Sequence, residues 1–273
     1  EIDGRLGIEW TASIENELSK LKNVRIMQRT TITGAYDHGT YGALERVGKH
    51  LPEGPGCLLK ECFWRIVAKR SILAAGALER LLAFPNNDRP GIMTAGAVRT
   101  YINRFGVAPG RSTVIFGNNN SAFETAKCLE AVGVHIAAFV DSRVNAEIEG
   151  NFPIFRGSAV TNTFGRTRLE AVTVRHSGGE EKIRTECLAV SGGWNPTVHL
   201  SCHMNGRPRW DDAIQSFLPK EDSIPGMTYA GATAGFMSTV DCFRSGVESA
   251  NLILSEVGTE FTNIALPSTE KNT

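Results

Sequence analysis

Residues 113–122, Thr-Val-Ile-Phe-Gly-Asn-Asn-Asn-Ser-Ala, restrict the possible folds of this chain more than any other part of its sequence. A short apolar strand is predicted over residues 113–116, a helix over 121–132 and a second strand over 135–140. Two strands and a helix within about 28 residues have the length of a parallel βαβ crossover. The sequence therefore predicts an α/β fold, in which helices pack on a parallel sheet.

The corner between this strand and its helix has the spacing of a dinucleotide-binding loop, Gly-x-Gly-x-x-Gly/Ala. Gly117 fits the first position, and Ala122 fits the third, where helix and strand must approach closely. The middle position holds Asn119, whose side chain occupies the space in which a pyrophosphate presses against the backbone. Asp141 lies near the place of the acid that binds a ribose. We favour a Rossmann unit that has lost its nucleotide and is now structural, over a working second nucleotide site or a chance similarity.

The segments around this unit predict a mixture of helices and antiparallel strands. An amphipathic helix over residues 10–21 and a short strand over 23–27 come first. Three strands separated by Gly- and Pro-rich turns then indicate an antiparallel meander, with strands at 30–36, 41–47 and 62–68 and turns at 37–39 and 52–56. The other predicted elements are helices over 92–104 and 237–256 and a hairpin with strands at 169–175 and 182–190.

Small residues at strand ends indicate how the domains are arranged. Residues 72–77 and 190–194 each end a strand with small residues, which lets a loop pass close to a ligand or to another backbone. Residues 228–232 repeat the pattern before the last helix. We therefore predict a doubly wound Rossmann-like sheet interrupted by a second Rossmann-like domain, together with the small meander. The predicted domains are residues 1–110 and 191–258 (outer), 111–190 (inserted) and 259–273 (linker or tail).

Composition excludes several classes of function. Lys plus Arg and Asp plus Glu number 29 each, so no net charge attracts nucleic acid or an anionic membrane. The six cysteines include no Cys-x-x-Cys pair, and no apolar run approaches the ~20 residues of a membrane helix. These features, with no signal peptide, predict a cytoplasmic protein, and the absence of an initiator Met predicts a fragment of a longer one.

Other chemistry has weaker support. His199, Cys202 and His203 lie close together, but a structural zinc site normally has four ligands in recognisable pairs, so we favour ordinary loop residues. Cys57 near Cys62 gives equally weak support for redox chemistry. No nucleophile motif or pair of acids indicates hydrolysis. We therefore predict no catalytic residue and no metal ligand in this chain.

Six segments together resemble the α subunit of heterotetrameric sarcosine oxidase, and opine oxidase and hydrogen cyanide synthase subunits share much of the pattern. The segments are Thr30-Thr31, Gly34-x-Tyr36-Asp37, Ala74-Ala-Gly-Ala-x-Glu79-Arg80, Asn86-Asn-Asp-Arg-Pro-Gly91, Thr100-Tyr101-x-Asn103-Arg104 and Gly193-Trp-Asn-Pro196. The resemblance covers residues 8–256. It implies the fold of flavoproteins with two dinucleotide-binding domains, the second inserted into the first.

By this resemblance the chain would bind NAD in its first dinucleotide site and would work with the other subunits of a hetero-oligomeric oxidase. A small amine, sarcosine or a similar secondary amine, would be oxidised at a flavin, with FAD and FMN in or shared with partner subunits. The residues implied on the NAD are Thr30, Thr31, Ala75, Gly76, Gly231, Ala232 and Thr233. The two threonines of 30–31 would lie near the adenosine, and residues 231–232 at a helix N-terminus, where free N–H groups favour phosphate.

The sequence departs from the family pattern at two places. The usual Gly-Asp at 231–232 is Gly-Ala here, so no carboxylate reaches a ribityl chain, which favours NAD over FAD. The glycine-rich loop of the first domain is not present in the sequence, and we expect it upstream of residue 1. Two other functions stay open, a non-catalytic assembly subunit with relic nucleotide sites and an NAD(P)H-dependent flavin reductase. The reductase would need an intact second site, against which Asn119 argues.

Overall fold

The computed structural model describes residues 1–51, 59–259 and 264–269. The chain forms two compact units. Unit 1 contains residues 1–77 and the residues from 196 onwards, and unit 2 contains residues 78–195. Unit 2 therefore lies, in sequence, between the two parts of unit 1, as an inserted domain does.

The helices are α1 (Gly7–Ser19), α2 (Ala95–Phe105), α3 (Asn120–Ala131), α4 (His199–His203) and α5 (Thr239–Glu256), with a 3-10 turn at Gly231–Ala234. The strands before residue 100 are β1 (Thr30–Tyr36), β2 (Thr40–Glu45), β3 (Cys62–Val67), β4 (Ser71–Leu73), β5 (Ala77–Glu79) and β6 (Ile92–Thr94). Those that follow are β7 (Ser112–Gly117), β8 (His135–Asp141), β9 (Ile154–Arg156), β10 (Ala159–Phe164), β11 (Ala171–His176) and β12 (Gly179–Arg184). The last are β13 (Cys187–Ser191), β14 (Trp194–Pro196), β15 (Arg209–Asp211), β16 (Ser216–Leu218) and β17 (Met227–Tyr229).

Unit 2 is built on a sheet of five parallel strands in the order β6-β13-β7-β8-β9. Helices α2 and α3 cover one face, where Val98, Leu129 and Phe139 are fully buried. The antiparallel sheet β10-β11-β12 contributes to the core on the other face, where Val172 and Val174 are fully buried. Parallel strands with both faces covered can be apolar throughout, and the five residues of β13 are all buried. The α/β fold class and the βαβ unit predicted from the sequence are confirmed.

The observed boundaries of the inserted unit differ from the predicted 111–190. Unit 2 begins at Leu78 and ends at Asn195, because β6 pairs in parallel with β13 and α2 packs against α3. The predicted start at residue 111 therefore lies inside unit 2, between α2 and β7.

Unit 1 contains the predicted meander and a short parallel sheet. Strands β1, β2 and β3 pair antiparallel in that order, which confirms the meander. Strands β4 and β17 pair in parallel although unit 2 separates them in sequence. Ala35, Leu73, Ile224 and Met227 form the buried core of this unit and join the meander to the parallel pair.

Several local predictions were wrong or incomplete. Residues 23–27 form no strand, and Val24 and Ile26 are exposed. The strand predicted over 182–190 is two strands, β12 and β13, that belong to different sheets. Strands β9, β10, β15 and β16 were missed, and so was α4, whose residues were expected to lie in a loop.

The tail was predicted over residues 259–273, and its described part contacts the first residues of the chain. Thr269 bridges Ile2, and the Asp3 carboxylate accepts hydrogen bonds from the N–H and hydroxyl of Ser268. The turn predicted at 52–56 and Cys57 lie outside the described residues. Across the described ranges, no helix has both the length and the apolar character that crossing a membrane requires.

Candidate nucleotide-binding site

The carboxyl ends of β4 and β17 form the edge on which the predicted cofactor residues lie. Ser71 is opposite Met227 and Leu73 is opposite Tyr229, so both strands end at the same level. The Ala230 N–H donates to the Leu73 carbonyl at 3.1 Å, which holds the two following loops side by side. In open α/β sheets, ligands bind outside the carboxyl ends of the strands. The structure thus brings residues 75–76 and 231–233 together at such an edge.

The loop after β4 leaves room for a ligand at Gly76. Its φ is +72°, and a Cβ added there would meet no atom within 4 Å. Its carbonyl accepts hydrogen bonds from the Thr197 N–H at 3.0 Å and the Thr233 hydroxyl at 3.1 Å. Thr233 is fully buried, so its hydrogen bond to the Gly76 carbonyl fixes this loop from the interior of the protein.

The backbone of the same loop has free donors. Within the described part of the chain, the N–H groups of Ala75 and Gly76 have no hydrogen-bond acceptor, and Ala75 is exposed. Two adjacent N–H groups next to open space are the donors that a phosphate or another anionic group requires. The geometry of this loop therefore fits the phosphates of a nucleotide.

The loop after β17 differs from the prediction. Gly231 starts a four-residue 3-10 turn, whereas α5 begins only at Thr239, where the Ser238 hydroxyl caps it by accepting from the Asp241 N–H. The helix whose N-terminus residues 231–232 occupy is therefore this short 3-10 turn, and it is distinct from the long helix predicted over 237–256. The Gly231 N–H donates to the Ser245 hydroxyl of α5 at 3.1 Å.

Cys242 of α5 lies close to this loop, and its Sγ would be 3.6 Å from a Cβ added at Gly231. Burial raises the pKa of the Cys242 thiol and the adjacent Asp241 carboxylate adds to the rise, while a hydrogen bond from the Ala232 N–H acts in the opposite direction. The N–H donor of residue 231 is thus directed at α5. A nucleotide at this edge would meet the methyl group of Ala232 rather than a carboxylate.

Thr30 and Thr31 lie at the first positions of β1, opposite Glu45 and Leu44. The Thr30 hydroxyl donates to the Gln28 carbonyl at 3.0 Å, and Thr31 is exposed. Within the described residues no hydrogen bond joins either threonine to the loops after β4 and β17. Their place near an adenosine stays a prediction.

Sequence reasoning missed the helix residues that support the edge. Cys242, Ser245 and Ser249 are spaced three and four apart on α5, and the Ser249 hydroxyl donates to the Tyr229 carbonyl at 3.1 Å. Small polar residues at this spacing on an otherwise apolar helix face indicate hydrogen bonds to a buried neighbour. That spacing was the available signal.

The structure gives no support to the metal alternative. His199, Cys202 and His203 lie on the five-residue helix α4, and Cys202 is exposed. No group of three or more His, Cys, Asp or Glu side chains that could hold a metal ion occurs among the described residues.

Curated relatives cover almost the whole chain. It is 41% identical over 259 residues to the sarcosine oxidase α subunit of Rhizobium meliloti, and the match spans 94% of this chain and 26% of that protein. It is 35% identical over 276 residues to the α subunit of Corynebacterium sp. strain U-96, covering 95% of this chain and 28% of the relative. The chain is homologous to sarcosine oxidase α subunits. It spans about a quarter of their length.

A more distant relative is an opine oxidase subunit of Rhizobium meliloti, 23% identical over 240 residues and covering 75% of this chain and 52% of that protein. No family model matches the chain. The resemblance to sarcosine oxidase α subunits and, more distantly, to opine oxidase subunits is therefore confirmed.

Solved structures show the fold. An L-proline dehydrogenase from P. horikoshii superposes with a TM-score of 0.69 at 21% identity, covering 92% of this chain and 46% of that one. A thioredoxin reductase from T. acidophilum gives a TM-score of 0.68 at 14% identity, covering 93% and 82%. The chain thus shares the Rossmann-type α/β fold of these two proteins.

Proposed function

We propose that this chain is the nucleotide-binding part of one subunit of a multi-subunit, flavin-dependent oxidoreductase that oxidises sarcosine or a similar secondary amine. The observation that carries the proposal is the open edge at Gly76, in a chain 41% identical to a sarcosine oxidase α subunit. The relatives are themselves subunits, which supports the view that the complete enzyme contains other chains.

The nucleotide in this proposal is NAD, bound at the edge of β4 and β17. The N–H groups of Ala75 and Gly76 would donate to its phosphates, and Thr233 would keep that loop in position through the Gly76 carbonyl. Gly231 and Ala232 would border the nucleotide, and Thr30 and Thr31 would lie near its adenosine. The fit favours NAD over FAD because residue 232 offers a methyl group where a carboxylate would contact a ribityl chain.

Amine oxidation itself requires the loss of two electrons and of protons from the C–N bond of the substrate. We assign that step to a flavin in or shared with a partner subunit, with FAD and FMN as the candidates. The role of the described residues is then to bind and orient a nucleotide and to provide a scaffold for those partners.

The cofactor part of this proposal predicts the effect of Gly76→Val. The new side chain fills the open space and forces a β-branched residue to adopt a positive φ, so we expect NAD affinity to fall by at least about tenfold. The measurement is NAD retained by the full-length protein after gel filtration, with the dissociation constant determined by equilibrium dialysis.

Gly133→Val is the matched control for this change. Gly133 has a φ of +73° and equally open space, but it lies in unit 2 between α3 and β8. Both variants should lose similar stability, about 1–3 kcal/mol, while only Gly76→Val should lose NAD. Equal NAD retention by the two variants, or no NAD on the unmodified full-length protein, would contradict the assignment.

The substrate part predicts that sarcosine, added without oxygen, reduces the flavin of the complete enzyme. The test follows the loss of flavin absorbance, with glycine as the primary-amine control and N,N-dimethylglycine as the tertiary-amine control. We expect rapid loss of absorbance with sarcosine or another secondary amine and little with either control. Reduction by NADH or NADPH but by no secondary amine would instead identify a flavin reductase.

A further inference from the structure

The carboxyl edge of the parallel sheet in unit 2 is closed by Asn119. This residue precedes α3, and its side chain makes no capping hydrogen bond to that helix. Its amide nitrogen instead reaches the end of β13 and donates to the Ser191 carbonyl at 3.1 Å and the Ser191 hydroxyl at 3.2 Å. Because a carbonyl can only accept, the amide nitrogen must lie on this side. The side chain thus spans the ends of two adjacent strands, β7 and β13.

At the corner next to this amide, α3 approaches the end of β7 as closely as helix and strand do in a nucleotide-binding unit. A Cβ on Gly117 would lie 2.6 Å from the Cβ of Ala122 and 3.3 Å from the Ser191 carbonyl oxygen. The N-terminus of α3 therefore borders the position at which a Rossmann unit binds the pyrophosphate. The Asn119 side chain occupies that position.

The position of the ribose is filled in a similar way. Asp141 ends β8 and is fully buried, and both of its carboxylate oxygens accept hydrogen bonds from the Arg143 guanidinium at 3.1 and 2.9 Å. One oxygen also accepts from the Arg143 N–H at 2.8 Å, and the same guanidinium donates to the Asn120 side chain of α3. The carboxylate that would accept from a ribose hydroxyl is therefore already engaged.

We infer that unit 2 fills both contact positions of a dinucleotide with its own side chains, Asn119 at the pyrophosphate and Arg143 at the ribose acid, and so binds no dinucleotide. The residues present do not fit the cofactor that the fold would accommodate. This inference concerns unit 2 alone and does not depend on NAD binding by unit 1.

The inference predicts that Asn119→Gly opens the edge. The variant restores the sequence Gly-x-Gly-x-x-Ala. It also removes the buried side-chain oxygen of Asn119, which has no hydrogen-bond partner within the described residues. Because Arg143 occupies Asp141 and keeps a partly exposed guanidinium, the opened edge should prefer the 2′-phosphate of NADPH to the free hydroxyl of NADH. In the full-length protein we expect NADPH affinity to rise by about tenfold or more.

Asn119→Asp is the matched control. It keeps the size of the side chain but replaces the donor with an anionic oxygen, which repels phosphate, so no NADPH binding should appear. Equilibrium dialysis gives the affinities, and a thermal melt shows whether each variant is folded. A folded Asn119→Gly variant with no gain over the unmodified protein would overturn the assignment of Asn119 as the group that excludes the pyrophosphate.

Photolabelling with azido-adenine analogues of NAD and NADPH, followed by peptide mapping, locates any bound nucleotide. The inference expects no label in residues 112–143 of the unmodified protein and label there in Asn119→Gly. Label in that segment of the unmodified protein would overturn it, even if the glycine variant failed to fold. Absence of label from both units would contradict the proposed NAD site and leave the inference on unit 2 intact.

Discussion

Replacing Phe139 with alanine will lower the free energy of unfolding of unit 2 by about 3–5 kcal/mol. Among the described residues, Phe139 has the largest fully buried side chain, and it lies on β8 and packs in the same core as α3. Its ring stacks on Phe152 and meets the edge of Phe123, each with centroids 6.2 Å apart. Alanine removes this packing and leaves a cavity that rigid parallel strands cannot close. Urea unfolding followed by far-ultraviolet circular dichroism measures the loss.

Phe105→Ala provides the control for the loss of an aromatic ring from the same unit. Phe105 ends α2 and is 60% exposed, and its ring lies beside the Arg104 guanidinium. Its removal should cost under about 1 kcal/mol, since little apolar surface is buried there. Phe139→Leu should fall between the two alanine variants. Equal losses for Phe139→Ala and Phe105→Ala would show that the Phe123–Phe139–Phe152 cluster does not stabilise unit 2.

Elements that depend on neighbouring residues were predictable from the sequence. Strands β1, β2 and β3 follow one another with short alternating segments, and β7, α3 and β8 form one local crossover. In both cases the periodicity and the turns lie within a few tens of residues, so local preference and tertiary packing agree. The sequence assigned the segments of β4 and β17 to the same outer domain, because small residues end both strands, but it did not predict that the two strands pair.

Elements whose partners are distant in sequence were not predictable from the sequence. β13 follows the hairpin strand β12 closely but pairs with β6 and β7, far away in sequence, and this choice reflects burial on both sheet faces. Residues 23–27 have an apolar pattern but no strand neighbour to complete their hydrogen bonds. A strand pattern without a partner edge does not make a strand.

The candidate sites show the same limit at the level of single side chains. The sequence placed Gly76 and Gly231 at one edge, but it could not show that Ser245 already accepts the Gly231 N–H from a helix turn beyond residue 239. It placed Asp141 near a ribose position but gave no signal that Arg143, two residues later, folds back onto it. Rotamers of this kind depend on the packed structure and not on spacing.

Replacing Arg143 with alanine will destabilise unit 2 by about 3 kcal/mol, because it leaves the Asp141 carboxylate buried without its counter-charge. Asp141 is fully buried, whereas the Arg143 side chain is 37% exposed. The backbone N–H of residue 143 remains as one donor, and water can enter from the exposed side, so we expect the lower end of the range for broken buried pairs. Thermal and urea unfolding at neutral pH measure the change.

Because Asp141 is buried and Arg143 is partly exposed, substitutions of the two residues should have different effects on stability. Asp141→Asn leaves a partly exposed guanidinium that water can solvate and keeps a polar side chain in the buried position, so we expect a smaller loss, about 1 kcal/mol. The double variant Asp141→Asn with Arg143→Ala should be more stable than Arg143→Ala alone, since no unpaired charge is then buried. A double variant less stable than Arg143→Ala would mean that Asp141 stabilises the end of β8 without its ion pair. The loss of the hydrogen bond from Arg143 to Asn120 would then explain why Arg143→Ala destabilises the unit, because this bond joins the end of β8 to the start of α3.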